Sequence, residues 1–390
     1  MEGDFIRINK WLLPLSWLYG LGVRLRNTLF DIGVLKSESF DVPVISVGNI
    51  TVGGTGKTPH VEYLIGLLRD KCRVAVLSRG YKRKSRGFVL ADAGATARTV
   101  GDEPWQMKHK FPDVTVAVDA DRRHGIRRLM ERGGDGAADV VLLDDAFQHR
   151  YVKPGVNILL VDYHRLIIYD RLLPAGRLRE QLSGKNRADI VIVTKCPADL
   201  KPMEFRVITK AMNLFPYQQL FFTRLDYEPL RPVFKGRPRG LDTLPDGCRI
   251  LLLTGIASPK QLAVDLAPLC RDITPMAFGD HHAFTPADVE RINSTFASMP
   301  QPRLIVTTEK DAARLVGLDG LSGEVRRAMY ALPVRIKFML DQEEKFNETI
   351  IGYVRKNSRN GILAETKDDV KPKDGDNTGN RPRTISFRNN

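Results

Sequence analysis

The segment GNITVGGTGKT at residues 48–58 constrains this chain more than any other. It follows an apolar run at 42–48 and precedes residues 59–70, where Val61, Leu64, Ile65 and Leu68 recur at helical spacing. A buried strand, a glycine-rich turn and a helix, in that order, form the setting that a phosphate-binding loop requires. Backbone N–H groups at a helix start cradle phosphate oxygens, and the helix dipole adds to the attraction. Gly56-Lys57-Thr58 matches the end of the P-loop pattern. The position five residues before Gly56, glycine in the full pattern, is Thr51 here. Gly53 and Gly54 supply freedom inside the loop. Thr51, Val52, Gly53, Gly54, Thr55, Gly56, Lys57 and Thr58 are therefore the candidate ATP-binding residues. In such a loop the lysine reaches the β- and γ-phosphates and the Thr58 hydroxyl binds Mg²⁺.

A P-loop needs a second Mg²⁺ partner at the end of a buried strand. The run VVLLDD at 140–145 ends in Asp144 and Asp145, and Gln148 and His149 follow at the same edge. Further apolar runs occur at 73–80, 114–118, 157–162 and 189–195, separated by helical segments. Continuous apolar strands alternating with helices predict an α/β fold, a mostly parallel P-loop NTPase-type sheet with helices on both faces.

The texture changes between 221 and 250, which is rich in Pro and Arg and reads as a connection. A second, smaller α/β domain follows. Its strand at 249–255 leads to a helix at 259–270, a helix at 285–296 with Thr285 as N-cap and Pro286 after it, and a strand–turn–helix at 303–315. The expected division is an N-terminal helical segment at 1–40, a P-loop core at 41–225, a linker at 226–250, the smaller domain at 251–355 and a disordered tail at 356–390. A chain of 390 residues suits two domains.

Lys and Arg number 60 against 46 Asp and Glu, a net charge of +14, which calls for an anionic partner. Aromatic-and-basic RNA motifs, zinc modules and basic helix repeats are missing, so nucleic acid is not the expected partner. Cys72, Cys196, Cys248 and Cys270 are scattered, which reads as reduced thiols rather than a disulfide or metal framework. Residues 11–23, WLLPLSWLYGLGV, are too short a run to span a bilayer, which needs about 20 residues. Two readings stand. One is a buried first helix. The other is an interfacial helix with Trp11, Trp17 and Tyr19 at headgroup depth and Lys10, Arg24 and Arg26 facing acidic lipid.

A kinase must also take a proton from its acceptor hydroxyl. Asp102 and Glu103 in Gly101-Asp102-Glu103-Pro104 are candidates, although acidic residues also simply favour a helix N-terminus. Asp280-His281-His282, between Phe278 and Phe284, is another cluster. Basic residues follow three strand ends: Arg79 to Arg86, Arg122 to Arg128, and Arg171 to Arg187. Strand ends converge on the ligand edge of an open α/β sheet, so these clusters suit an anionic substrate beside ATP phosphates.

Eight motifs together resemble the tetraacyldisaccharide 4′-kinase family, the lipid A 4′-kinases of Gram-negative bacteria. They are VGNITVGGTGKTP (47–59), LSRGYKRKSRGF (77–88), GDEP (101–104), DDAFQHR (144–150), LLPAGRLRE (172–180), TGIASP (254–259), FGDHHAF (278–284) and TTEKDAARL (307–315). The resemblance implies transfer of the ATP γ-phosphate to the 4′-hydroxyl of a tetraacylated glucosamine disaccharide 1-phosphate, with Mg²⁺. It implies peripheral attachment through the N-terminal segment to an acidic membrane surface, the cytoplasmic face of the bacterial inner membrane. By motif, Asp102 is the acceptor base and His281 assists it. Thr58, Asp144 and Asp145 serve the metal, and Glu103, Arg122, Gln148 and Arg177 face substrate or phosphate. The competing reading is a membrane-associated P-loop ATPase of the partitioning type. Such ATPases carry an extra lysine early in the loop, and residues 51–55 contain none.

Overall fold

The computed structural model describes residues 6, 8–131, 137–245, 247–256, 259–268, 270, 272–279, 282 and 284–357. In chain order, α1 (Leu13–Asp31) leads to β1 (Val44–Gly48), α2 (Lys57–Leu68), β2 (Val74–Ser78), β3 (Val89–Leu90), α3 (Ala97–Val100) and α4 (Asp102–Lys110). Then come β4 (Thr115–Val118), α5 (Arg122–Met130), β5 (Val140–Asp144), β6 (Val156–Asp162), β7 (Ile190–Thr194), α6 (Pro202–Met212) and β8 (Gln219–Tyr227). A second group holds β9 (Arg231–Pro232), β10 (Arg249–Thr254), α7 (Pro259–Leu266), β11 (Asp272–Ala277), α8 (Pro286–Ser298), β12 (Arg303–Thr308), α9 (Glu309–Leu315), α10 (Gly323–Ala328) and β13 (Met329–Leu332). The last described elements are β14 (Val334–Phe338) and α11 (Glu343–Asn357).

The first sheet has nine strands in the order β14-β8-β7-β6-β1-β5-β2-β4-β3. From β8 to β4 every pairing is parallel, and the edge strands β14 and β3 run antiparallel. Its central strands are buried on both faces, as their unbroken apolar runs require. Alternation of side chains divides the core. Ile45 and Val47 pack with Val61, Leu64, Ile65 and Leu68 of α2, while Val44 lies among Ile126 and Leu129 of α5. Burying each of those α2 side chains contributes about 1.5–3 kcal/mol. Helices thus cover both faces, as expected. The helix begins at Lys57 rather than at 59, because Gly56 takes a left-handed turn at φ 80° and releases the chain directly into helix.

The second sheet has the order β11-β10-β12-β13-β9, parallel from β11 to β13. Its α8 starts at the expected cap, where Thr285 and Asp288 exchange backbone-to-side-chain hydrogen bonds of 3.3 and 2.8 Å.

The chain passes between the sheets twice. It leaves after β8 and returns between β13 and β14, and the two crossings touch where Glu228 N donates to Pro333 O at 3.1 Å. This corrects the division that placed 251–355 in one smaller domain. Residues 334–338 pair with β8, and α11 buries Phe346, Ile350 and Val354 against the α2 face of the first sheet. The expected linker is corrected too, since β8 is a nine-residue strand of the first sheet that runs to Tyr227. The tail at 358–390 lies outside the described residues.

The N-terminal helix is not buried. Trp11 is 93% and Trp17 77% exposed, with Leu18, Leu21 and Leu25 also in solvent. Its inner face is small: Ser16 donates to Leu172 O at 3.0 Å and accepts from Ala175 N at 2.9 Å. Two of the residues expected at the lipid interface are tied to the protein at their polar tips, Tyr19 while remaining exposed. The Tyr19 hydroxyl donates to Arg179 O at 3.0 Å, and Arg26 donates to Gln148 O at 3.1 Å. Polar tips on an otherwise apolar helix take the nearest backbone acceptors. Among the described residues, no helix is long and apolar enough to cross a membrane.

His60 ties α2 to the sheet. Its Nδ1–H donates to Gly56 O at 2.7 Å, and Nε2 accepts from the Thr223 hydroxyl at 3.1 Å. Complete burial disfavours the charged ring and lowers its pKa to about 4, so the imidazole is neutral at pH 7. A depressed basic group stabilises the fold above its unfolded pKa near 6.5 and loses that contribution as pH falls toward about 4, roughly 3 kcal/mol in all. We predict that His60→Gln destabilises the protein at pH 7.5 and much less at pH 5, as read by urea unfolding. An equal loss at both pH values would contradict this role.

Candidate active site

The loop after β1 is held from outside through its carbonyl groups. Arg179 N donates to Ile50 O at 2.8 Å, and the Thr194 hydroxyl donates to Thr55 O at 3.0 Å. Lys195 Nζ donates to Gly54 O, and also to Asp162 Oδ2 at 2.7 Å. His60 takes Gly56 O. Val52 N donates to Arg177 O at 2.8 Å, so the loop and residues 177–179 form a short antiparallel bridge. Thr51 is buried and the Thr55 hydroxyl accepts from Asn49 Nδ2 at 2.9 Å. With its carbonyls engaged on the protein side, the loop turns into α2, whose first N–H groups have no intrahelical partners. That is an anion cradle. The missing glycine at 51 leaves it intact, because Thr51 serves as the bridge residue opposite Leu178.

Lys57 begins α2 and stands 3.6 Å from Asp145 Oδ1, with Thr58 next to it. Asp144 ends β5 fully buried. Its Oδ2 accepts from the Ser78 hydroxyl at 2.9 Å, while its Oδ1 is buried without a hydrogen-bond partner among the described residues. Burial pushes this carboxyl up, to about 7, and Glu103 and Asp145 push the same way, against Lys57. A buried carboxylate oxygen lacking a donor, beside a second carboxylate, fits a hard divalent cation. Among the described residues no three His, Cys, Asp or Glu form a metal cage. That agrees with Mg²⁺, which binds through one or two carboxylates plus nucleotide phosphates.

Arg122 opens α5, almost fully buried, with Nη1 donating to Ala120 O at 3.2 Å and Nε unpartnered among the described residues. Burial lowers its pKa to about 10, opposed by the attraction of Asp144 and Asp145. It is therefore a charged donor beside the strand-end aspartates. Gln148 accepts from Arg179 Nη1 at 3.2 Å and donates to Glu180 Oε1 at 3.4 Å, and Glu180 pairs with Arg187 at 2.7 Å. Arg177 lies near the loop: a Cβ added at Gly53 would stand 3.9 Å from its Nη1. His149 is half-buried, its Nε2 without a hydrogen-bond partner among the described residues, and burial, reinforced by Arg122, lowers its pKa to about 4.

Asp102 and Glu103 open α4 and meet α9 of the second group. Arg314 Nε donates to Asp102 Oδ2 at 2.9 Å, and Lys310 stands 3.5 Å from Glu103. At the other end of α4, Lys110 pairs with Glu62 of α2 at 2.7 Å and Glu309 of α9 at 3.1 Å. The head of α4 packs close to the end of β2: a Cβ on Gly101 would stand 3.2 Å from Gly80 Cα, two residues past the Ser78 that bonds Asp144, and Glu103 adds to the upward push on the Asp144 carboxyl. His281 lies outside the described residues. Its neighbour His282 is bound to Asp288 Oδ2 at 2.9 Å and stacks on Phe278 at 4.9 Å.

The expected residues on the first sheet thus gather at the carboxyl ends of its parallel strands. Residues that sequence reasoning did not single out are His60, Thr194, Lys195 and Arg314. Thr194 and Lys195 had a readable signal, since polar residues at the end of an apolar strand line the ligand edge of a parallel sheet.

The sequence matches the family described as tetraacyldisaccharide-1-P 4′-kinase across residues 8–355. A tetraacyldisaccharide 4′-kinase of Phocaeicola vulgatus is 58% identical over 362 residues, covering 92% of this chain and 99% of that protein. One from Porphyromonas gingivalis (strain ATCC 33277) is 46% identical over 357 residues, with 90% and 99% covered. The crystal structure of an "apo" form of LpxK from Aquifex aeolicus in complex with ATP superposes with a TM-score of 0.68 at 34% identity, covering 88% of this chain and 98% of that one. An α/β P-loop fold, a glycine-lysine-threonine loop facing two strand-end aspartates and matches of this length admit one conclusion: the chain belongs to the tetraacyldisaccharide-1-P 4′-kinase family.

Proposed function

We propose that this protein transfers the γ-phosphate of ATP to the 4′-hydroxyl of a tetraacylated glucosamine disaccharide 1-phosphate, at the cytoplasmic face of the bacterial inner membrane. The observation that carries the reading is Lys57 of the glycine-rich loop standing 3.6 Å from Asp145 at the end of β5, with the head of α4 packed against the turn after β2. In this reading the loop holds the phosphate donor and α4 supplies the acceptor base. The partitioning-ATPase reading supplies no use for the second of these.

In this reading residues 51–58 hold the triphosphate and Lys57 neutralises charge on its β- and γ-phosphates. Thr58, Asp144 and Asp145 would hold Mg²⁺, which shields phosphate charge. Arg122, Arg177, Gln148 and Glu103 border the phosphates and the sugar. The sugar oxygen attacks γ-phosphorus, the bond to the β-phosphate oxygen breaks, and ADP leaves. The hydroxyl proton passes to Asp102, with His281 assisting. The transition state is loose, so positioning and charge compensation outweigh base strength.

The exposed apolar face of α1, with Trp17 outermost and Trp11 in the turn just before the helix, serves as a peripheral membrane anchor. Its inner face is bonded to residues 172–179 and 148, so the anchor holds the site against the lipid surface where the substrate resides.

Two predictions test this. Lys57→Ala should lower phosphate transfer about 10²-fold or more, whereas Asp102→Asn should lower kcat by about 10²- to 10⁴-fold with ATP affinity nearly unchanged. Normal transfer in Lys57→Ala, or parallel loss of turnover and ATP binding in Asp102→Asn, would contradict the assignment. Replacing Trp11, Trp17 and Leu21 together by Ser should release the protein from vesicles containing anionic lipid while ATP binding persists. Undiminished sedimentation with those vesicles would place the anchor elsewhere.

A further inference from the structure

We infer that Arg314 is a positioning residue for the phosphoryl transfer: it reaches from the second sheet's helix α9 to orient the Asp102 carboxylate on the first. The inference rests on Asp102 being the acceptor base. Arg314 is held on both sides. Its Nε donates to Asp102 Oδ2 at 2.9 Å and its Nη1 to Asp311 Oδ1 at 3.0 Å, one helical turn back. Asp311 is completely buried and fixed in turn. Its Oδ2 accepts from Gly255 N and from the Thr308 hydroxyl, both at 2.8 Å. Gly255 must lack a side chain, since a Cβ there would stand 2.9 Å from Asp311 Oδ1.

The order of contacts therefore runs from β10, through Gly255, Asp311 and Arg314, to the carboxylate at the head of α4. A planar guanidinium with fixed donor directions transmits orientation along such a chain, as an ammonium would not. The side chains of Arg314 and Asp102 are only 10% and 16% exposed, so the pair is largely sheltered from solvent screening. The register of α9 on α4 is reinforced by charge. Lys310 faces Glu103 one turn before Arg314 faces Asp102, and Glu309 faces Lys110 at the far end of α4. These contacts give the motifs TGIASP and TTEKDAARL a role in the chemistry although they lie on the other sheet. Asp102 is correctly presented only while the two sheets are docked.

The experiment is a mutant cycle on the full-length protein. Single-turnover transfer of labelled phosphate from ATP to purified tetraacyl disaccharide 1-phosphate in mixed micelles is measured. ATP binding and thermal unfolding are read alongside. The variants are Arg314→Met, Arg314→Lys, Asp102→Asn and the double change Arg314→Met with Asp102→Asn. Arg314→Met should slow transfer by about 10²-fold, leaving ATP affinity unchanged. Arg314→Lys keeps the charge but not the fork and should fall between wild type and Arg314→Met. In the Asp102→Asn background, Arg314→Met should cause no further loss, because the guanidinium acts through that carboxylate. Additive losses in the double variant, or losses of ATP affinity that match the loss of rate, would overturn the inference. Should Arg314→Met fail to fold, Arg314→Lys decides, and a wild-type rate in that folded variant overturns the inference. Full activity in Asp102→Asn alone would instead defeat the base assignment on which it rests.

Discussion

The arrangement depends on how the phosphate loop is held. Donors from three other segments occupy its carbonyl oxygens: Arg179 N on Ile50, Thr194 and Lys195 on Thr55 and Gly54, and His60 on Gly56. A loop whose acceptors are engaged on one side presents its N–H groups on the other, ready for an anion. Those donors arrive from β7, from α2 itself and from the segment beneath α1. The cradle is thus a product of the whole first sheet rather than of a short glycine-rich sequence. The position where the usual pattern has glycine can then carry Thr51, because a bridge to Leu178 sets the backbone there.

The same logic extends across the molecule. Strand ends of one sheet carry the candidate site, and helix α9 of the other sheet meets α4 beside it. Ion pairs of alternating sign between α4 and α9 register the two. Buried ion pairs are costly to desolvate and seldom add net stability, but breaking one is expensive. They favour one docked arrangement over its alternatives. Two neighbouring chain crossings, hydrogen-bonded between Glu228 and Pro333, join the sheets on the covalent side. The exposed apolar helix α1 is likewise stitched to the loops that carry Gln148 and Arg179.

What the sequence made legible was local. Apolar strands such as 140–145 and the Gly56-Lys57-Thr58 turn declare themselves within about ten residues, because burial and phosphate binding impose tight spacing. The return of β14 and α11 to the first sheet was not legible. Their partner β8 lies over a hundred residues earlier, beside a Pro- and Arg-rich stretch that reads as a connection. The bonds of Tyr19 and Arg26 were hidden for a related reason. Their side chains suit an interface, but backbone acceptors 160 and 122 residues away claim them first. Arg314 lies in the motif TTEKDAARL, yet its contact could not be read there, since it meets Asp102, 212 residues away in the chain.

The central claim is that one edge of the first sheet holds both the phosphate donor and the sugar acceptor. The most direct measurement follows γ-labelled ATP with the wild-type protein, Mg²⁺ and the tetraacyl disaccharide 1-phosphate, scoring label in lipid and in free phosphate. The account predicts one labelled phosphate in the lipid for each ADP formed, on the 4′ oxygen, with little free phosphate and little turnover when the lipid is omitted. ADP formed with the label released to water, and none in the lipid, would contradict it.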